Sequence, residues 1–221
     1  MTRIQRTGAS RSSPGLAATL LCLTMLSTPA APAAAQAPFM GTFTWSTALP
    51  VGQTKGFIDN YSWLGFTFEG DWFIKPNVSA GLILGWQEIY EENDVSSFDF
   101  PTGTATGRTY HHLMVIPMLA RARYWAGAEQ ERTVYPFGGL GLGTYRIRQT
   151  VDFGILTADD THWHFGFAPE AGVLIGQRYG GTAFSFTLRY NYPVKAGDYL
   201  GGDKAAWSYW GFAIGIGATP R

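Results

Sequence analysis

Two stretches decide the fold: residues 163–175, WHFGFAPEAGVLI, and residues 184–192, FSFTLRYNY. In each stretch, nearly every second residue is apolar or aromatic, and the residues between them are mainly small, polar or charged. A repeat of two residues is typical of a β-strand whose two faces meet different surroundings. We expect the aromatic face to contact lipid and the small-residue face to point into a narrow lumen. A soluble barrel would require the opposite arrangement.

The same alternation marks further segments along the chain, and turn-forming residues separate them. Short connections at 75–77, 126–132 and 178–181 alternate with longer ones, of which 91–108 is the longest. Short turns at one end and long loops at the other are typical of outer-membrane barrels. The predicted fold is therefore all-β, an eight-stranded antiparallel up-and-down transmembrane β-barrel. Its strands are expected at 41–50, 61–74, 78–90, 109–125, 133–149, 161–177, 182–194 and 206–217, with the other long loops at 51–60, 150–160 and 195–205.

The first 35 residues predict a cleaved signal peptide. Three arginines among the first eleven residues precede an apolar core at 16–26, and prolines and alanines follow it. Ala33 and Ala35 fit the A-x-A cleavage rule, so Gln36 is expected to begin the mature chain. The domain organisation predicted is a signal at 1–35 and one barrel domain at 36–221.

The mature composition excludes several classes of function. The single cysteine, Cys22, lies within the signal, so no disulfide or cysteine metal site is expected in the mature chain. The signal carries three arginines and no acids, which leaves 13 basic and 16 acidic residues after cleavage. A net charge of −3 argues against a nucleic-acid partner. No cofactor is predicted, and the expected partners are outer-membrane lipid and, during insertion, the barrel-assembly machinery.

The alternation also turns several ionisable side chains toward the lumen. Buried charges are costly unless they are paired, so these residues are predicted to form one lumen charge network. We favour a structural plug over a gated ion path or an acid–base pair. The six residues are Glu69, Asp71, Arg121, Arg123, Glu170 and Arg189.

The connection at 178–181 sets the register between the strands that carry Glu170 and Arg189. A two-residue turn at Tyr179-Gly180 would pair these two residues directly. A turn at Gly180-Gly181 would place them one diagonal step apart, still within reach of long side chains. Both turn positions remain open from the sequence.

Three histidines, His111, His162 and His164, are expected to point inward near the outer mouth. Imidazoles two residues apart share one face of a strand, which makes them candidates for a divalent metal site. However, the two strands concerned are not neighbours, and no inward carboxylate is expected at the same height. The prediction is therefore no metal. Ser185 is inward but far from the histidines, and no G-x-S-x-G elbow occurs, so no enzyme is predicted.

With the strands placed, the chain resembles the small outer-membrane β-barrel family, the eight-stranded relatives of OmpA, OmpX and OmpW. The resemblance covers essentially the whole mature chain and rests on the stretches 70–86, 136–146, 165–172 and 210–217. It implies the barrel fold and the bacterial outer membrane, and little about activity. The chain departs from the family at its end, Gly217-Ala-Thr-Pro-Arg221, where members usually finish on an aromatic residue.

Four roles follow as hypotheses. The favoured one is a structural or interaction scaffold with a charge-plugged lumen and exposed loops. The first alternative is a narrow OmpW-like barrel that passes small or apolar solutes. The second is an outer-membrane lipid-modifying enzyme. The third, a soluble lipocalin-like binder, requires the apolar faces to point inward.

Overall fold

The computed structural model describes residues 39–100, 103–127, 133–153, 156–176, 181–194 and 206–218. The predicted signal at 1–35, the Tyr179-Gly180 turn and the chain end at 219–221 lie outside the described residues. Within them, eight antiparallel strands form a closed barrel, in which each strand pairs with the next and the last pairs with the first. They are β1 (Phe39–Pro50), β2 (Leu64–Lys75), β3 (Val78–Phe100), β4 (Gly103–Trp125), β5 (Val134–Phe153), β6 (Leu156–Gly176), β7 (Thr182–Pro193) and β8 (Tyr209–Ala218).

The two faces of each strand differ as the alternation predicts. On β2, Phe68 is 55% exposed, whereas its neighbour Glu69 is 5% exposed. On β7, Leu188 is 38% exposed and Thr187 is 4% exposed. The uniformly apolar faces therefore point outward, and the faces that carry the polar and charged residues point inward. The predicted eight-stranded fold and its facing are confirmed, and the inward-facing apolar pattern of a soluble binder is not observed.

The predicted loops at 91–108 and 150–160 are wrong. β3 pairs with β4 from Val78–Tyr124 to Phe100–Gly103, so most of 91–108 is a continuous hairpin. β5 and β6 remain paired as far as Phe153 and Leu156. Both faces of a strand in water can be polar, so the apolar alternation stops where the ladder continues. We call the part of β3–β6 that continues beyond the apolar alternation the extension. The barrel end that bears it is the extended end.

The outward surface carries an apolar band between two aromatic levels. Between these levels, the described strands present no charged side chain outward. Such girdles are typical of barrels whose outer face lies in a bilayer. The first charged outward residues beyond the band are Glu88 on β3 and Arg146 on β5. The exposed aromatic residues at the two levels include Phe39, Trp72 and Tyr124 near the short-turn end and Trp63, Trp163 and Trp210 toward the extended end, and further exposed aromatic residues lie within the band.

A short helix, α1 (Gln53–Phe57), folds across the barrel at the extended end. The Phe57 ring stacks on His111 with 4.7 Å between centroids and meets Trp207 edge-on at 5.3 Å. Ile58 is fully buried beneath it. The predicted loop at 51–60 is thus an ordered lid. Within the described residues, no helix is long and apolar enough to cross a membrane.

Candidate functional site

The six predicted charged residues meet in the middle of the lumen. Glu69 and Asp71 come from β2, Arg121 and Arg123 from β4, and the other two from β6 and β7. Their side chains are at most 7% exposed. Because these strands surround the lumen, the six side chains fill its cross-section. We call this group the charge cluster: Glu69, Asp71, Arg121, Arg123, Glu170 and Arg189.

Each arginine in the charge cluster binds two or more carboxylates. Arg121 donates from Nε to Oδ1 of Asp71 at 3.1 Å and also binds Glu69. Arg123 donates to Asp71 Oδ2 and Glu69 Oε2, both at 3.0 Å. Its guanidinium also lies 4.3 Å from the centroid of the Phe137 ring. With three acids and three arginines, the cluster balances its own charge, which offsets much of the cost of burial.

The ladder between β6 and β7 pairs Glu170 directly with Arg189. Arg189 donates from Nε to Oε2 of Glu170 at 2.9 Å, and its Nη2 reaches the same oxygen at 2.7 Å. The register agrees with the first of the two turn positions considered from the sequence. Arg189 also binds Glu69 Oε1 at 2.6 Å, which joins β7 to β2 across the lumen.

Inward glycines make room for these side chains. A Cβ atom on Gly139 would lie 2.9 Å from Cγ of Arg123 and 3.2 Å from Oε1 of Glu170. A Cβ atom on Gly81 would lie 2.8 Å from Oδ1 of Asp71. Larger residues at these two positions would displace the cluster, so the glycines shape the site.

Apolar side chains close the lumen on both sides of the charge cluster. A small cavity of about 20 Å³ lies between the charge cluster and the apolar group above it, and the residues that line it include Ser46, Gln87 and Asn191. The lower group is Met40, Phe73, Trp125, Tyr135, Phe137, Leu174 and Ala183. The upper group includes Ile58, Ile89, Leu113, Val115, Tyr145, Ile147, Trp207 and Tyr209.

The structure does not bring the three predicted histidines together. His111 Nδ1 lies 2.9 Å from the carbonyl oxygen of Phe57 in α1, and His164 Nδ1 lies 2.9 Å from that of Val194. His162 Nε2 lies 2.8 Å from Oδ2 of Asp160. The expectation of no inward carboxylate at this height is therefore wrong. In the part of the chain that the structure describes, no three histidine, aspartate or glutamate side chains are arranged so that they could hold a metal ion.

No protein-family model and no curated protein matches the chain. Several solved structures do match the chain. Neisserial surface protein A aligns with a TM-score of 0.52 and 14% identity, over 82% of this chain and 96% of that one. This chain has the fold of the small eight-stranded outer-membrane barrels.

Two further barrels, both from Pseudomonas aeruginosa, align less closely. OprG gives a TM-score of 0.47 with 11% identity, over 83% of this chain and 96% of that one. The N-terminal β-barrel domain of OprF gives 0.44 with 13% identity, over 81% and 96%. At 14% identity, the alignment with Neisserial surface protein A establishes the fold of this barrel and not its role.

A second polar site, missed by the sequence analysis, lies on the outward face of the barrel just beyond the apolar band. His112 lies between two carboxylates, with Nδ1 3.5 Å from Oε1 of Glu88 and Nε2 3.9 Å from Oδ2 of Asp152. Partial burial raises the pKa of Glu88 above its ordinary value, and the neighbouring His112 partly offsets that rise. Arg148 binds Asp159 at 3.2 Å nearby. The sequence signal for this site is the set of polar residues at even-numbered positions of β3–β5. Glu88, His112 and Arg148 fall within the predicted strands, and Thr150 and Asp152 fall within the predicted loop at 150–160.

Proposed function

We propose that this chain spans the bacterial outer membrane as a sealed scaffold, with its extension and the α1 lid on the exterior. The apolar band between two aromatic levels supports insertion in a bilayer. The asymmetry between short turns and the extension supports the orientation, because outer-membrane barrels place short turns in the periplasm. The predicted signal at 1–35 supports export.

The filled lumen is the observation that carries this proposal. The charge cluster occupies the middle of the lumen, and apolar groups close it above and below. A hydrated ion would have to separate buried, mutually bonded charges, which costs several kcal/mol per ion. The cavity above the charge cluster has a volume of about 20 Å³, which is too small for a solute larger than water, so it does not favour the solute-passing alternative.

The lipid-modifying enzyme gains no support from the geometry. Ser185 lies near the start of β7, opposite Gly215, and its hydroxyl has no hydrogen-bond partner among the described residues. His164 binds the carbonyl oxygen of Val194, which directly follows the other end of β7. A strand rises by roughly 3.3 Å per residue, so a serine and a histidine placed in this way do not form a catalytic pair.

Conductance across a planar bilayer tests the sealed lumen. Wild-type protein, shown to be folded by heat-modifiable migration on a gel, is expected to give no ion current. Arg189→Met removes one guanidinium group from the charge cluster and is expected to allow a small ion current. The exposed change Arg108→Gln is the matched control and should stay silent. Steady channels from folded wild-type protein would overturn the proposal.

Cysteine labelling tests the orientation and export. Because Cys22 lies in the predicted signal, Arg108→Cys on the extension and Lys75→Cys at the short-turn end each introduce a single thiol. A membrane-impermeant maleimide should label position 108 on intact cells and position 75 only after permeabilisation. Intact mass should give a chain that begins at Gln36. Labelling of position 75 on intact cells would reverse the orientation.

A further inference from the structure

The outward polar site forms an open groove on the extension. The groove has a volume of about 350 Å³ and lies directly beyond the apolar band. Its position matters because the outer face of the barrel changes there from hydrocarbon-facing to water-facing. The lining residues are Glu88, His112, Met114, Arg148, Thr150 and Asp152.

Two arginines follow one another on the outward face of β5 at this level. Arg146 lies opposite Ile116 on β4 and Trp163 on β6, at the edge of the apolar band. Arg148 is one step further out, opposite Met114. Both guanidinium groups therefore lie at the height of lipid headgroups if the band spans the hydrocarbon.

The two arginines differ in their partners. Arg148 binds Asp159 at 3.2 Å, and both side chains are about half exposed. Arg146 is half-buried and forms no ion pair with any residue in the described ranges. A planar guanidinium with free donors matches the oxygens of a phosphate, and a pair of them on one face can hold one phosphate group from two sides.

The opposite wall of the groove has a different chemistry. Glu88 and Asp152 flank His112, and the Tyr90 ring lies 4.8 Å from the imidazole. Carboxylates repel a phosphate but accept hydrogen bonds from sugar hydroxyls, and Thr150 can donate or accept. An anion is therefore favoured on the arginine side of the groove, and a neutral hydroxylated ring is favoured on the carboxylate side.

We propose that this groove binds the phosphorylated sugar headgroup of a glycolipid in the outer leaflet. Arg148 in the groove and Arg146, beside the groove on the same face of β5, hold the phosphate, and Glu88 and Asp152 accept hydrogen bonds from the sugar. The acyl chains then run down the apolar band below Trp163. This inference rests on the proposed function, because only an exterior extension places the groove in the outer leaflet.

Native mass spectrometry of the full barrel released from nanodiscs tests the proposal. The nanodiscs contain phosphatidylcholine with a small equal fraction of phosphatidylglycerol and of lipid A, an acylated glucosamine disaccharide with two phosphates. Wild-type protein should retain lipid A in preference to phosphatidylglycerol. The double change Arg146→Gln and Arg148→Gln should lower lipid A retention by about tenfold, since it removes charge-assisted hydrogen bonds.

Arg108→Gln is the matched control, since Arg108 is exposed on the same extension and pairs with Glu92. Retention by this variant should equal that of wild type. Equal retention of both lipids by wild type, or equal losses in the control and the double variant, would overturn the glycolipid site. Release of lipid A by millimolar inorganic phosphate would overturn the sugar contact. The orientation itself is tested separately by the labelling of positions 75 and 108.

Discussion

The coupling between Glu170 and Arg189 is the most direct test of the charge cluster. The perturbation is a double-mutant cycle of Glu170→Gln and Arg189→Met. Removing one partner of an isolated buried ion pair costs about 3–5 kcal/mol, because the other charge is left without a counterion. In this barrel, each of the two residues keeps another charged partner when the other residue is replaced. Glu170 keeps its bond from Arg123, and Arg189 keeps Glu69 at 2.6 Å.

These remaining partners lower the expected magnitudes. We expect each single change to reduce the free energy of unfolding by about 3 kcal/mol, at the low end of the range for buried pairs. The two hydrogen bonds between Glu170 and Arg189, at 2.9 and 2.7 Å, should give a coupling energy of about 2 kcal/mol. The double variant should then lose less stability than the sum of the single variants.

The assay is urea unfolding in lipid vesicles, followed by tryptophan fluorescence, with an unchanged denaturant slope as the check on two-state behaviour. The matched control is Glu92→Gln with Arg108→Met, an ion pair on the extension whose side chains are 39% and 58% exposed. Solvent screens that pair, so no measurable coupling is expected. A Glu170–Arg189 coupling below about 0.5 kcal/mol would refute the shared bonding of the cluster.

Three further predictions concern other parts of the barrel. Leu188→Arg should cost about 2–4 kcal/mol through lipid contact, and a tryptophan at 188 should be quenched by brominated lipid more strongly than one at the inward position 187. Gly143→Ala should cost about 1–3 kcal/mol in urea unfolding, because its Cβ would lie 2.3 Å from a backbone oxygen of β4, whereas Gly138→Ala should be neutral. Because burial raises the pKa of Glu88, the folded chain binds that proton more tightly. Stability should therefore rise as pH falls through the raised pKa, and Glu88→Gln should remove this dependence in unfolding curves taken across pH.

The sequence predicts the barrel wall well because lipid and lumen impose opposite demands on neighbouring residues. Leu188 and Thr187 differ in polarity for this reason, and the alternation assigns each to its face. Where a strand extends into water, neither of its faces has to be apolar. Residues 91–100 therefore carry no apolar alternation, although hydrogen bonding with β4 continues through them. A prediction based on the alternation alone ends the strands at the edge of the apolar band.

The charge cluster is only partly predictable from sequence. Strand parity places all six side chains inside, and the direct Glu170–Arg189 pair follows from one of two turn positions. The bond from Arg189 to Glu69 depends on the stagger between non-adjacent strands, which accumulates around the barrel. No local pattern encodes that stagger. The α1 lid is similarly hidden, because five residues at 53–57 are too few to show a helical repeat.

The seam between β1 and β8 has a consequence for how the barrel forms. β3 and β4 are joined across two residues, 101–102, and pair over their full length, whereas the seam joins Gly41 to Ala218. The entropy cost of closing a chain loop grows with the length of the loop. The long central hairpins can therefore form their hydrogen bonds before the two ends of the chain meet. We therefore expect seam closure to be the late step of folding. Substitutions in β1 or β8 should mainly speed unfolding, while those in the β3–β4 hairpin should slow folding.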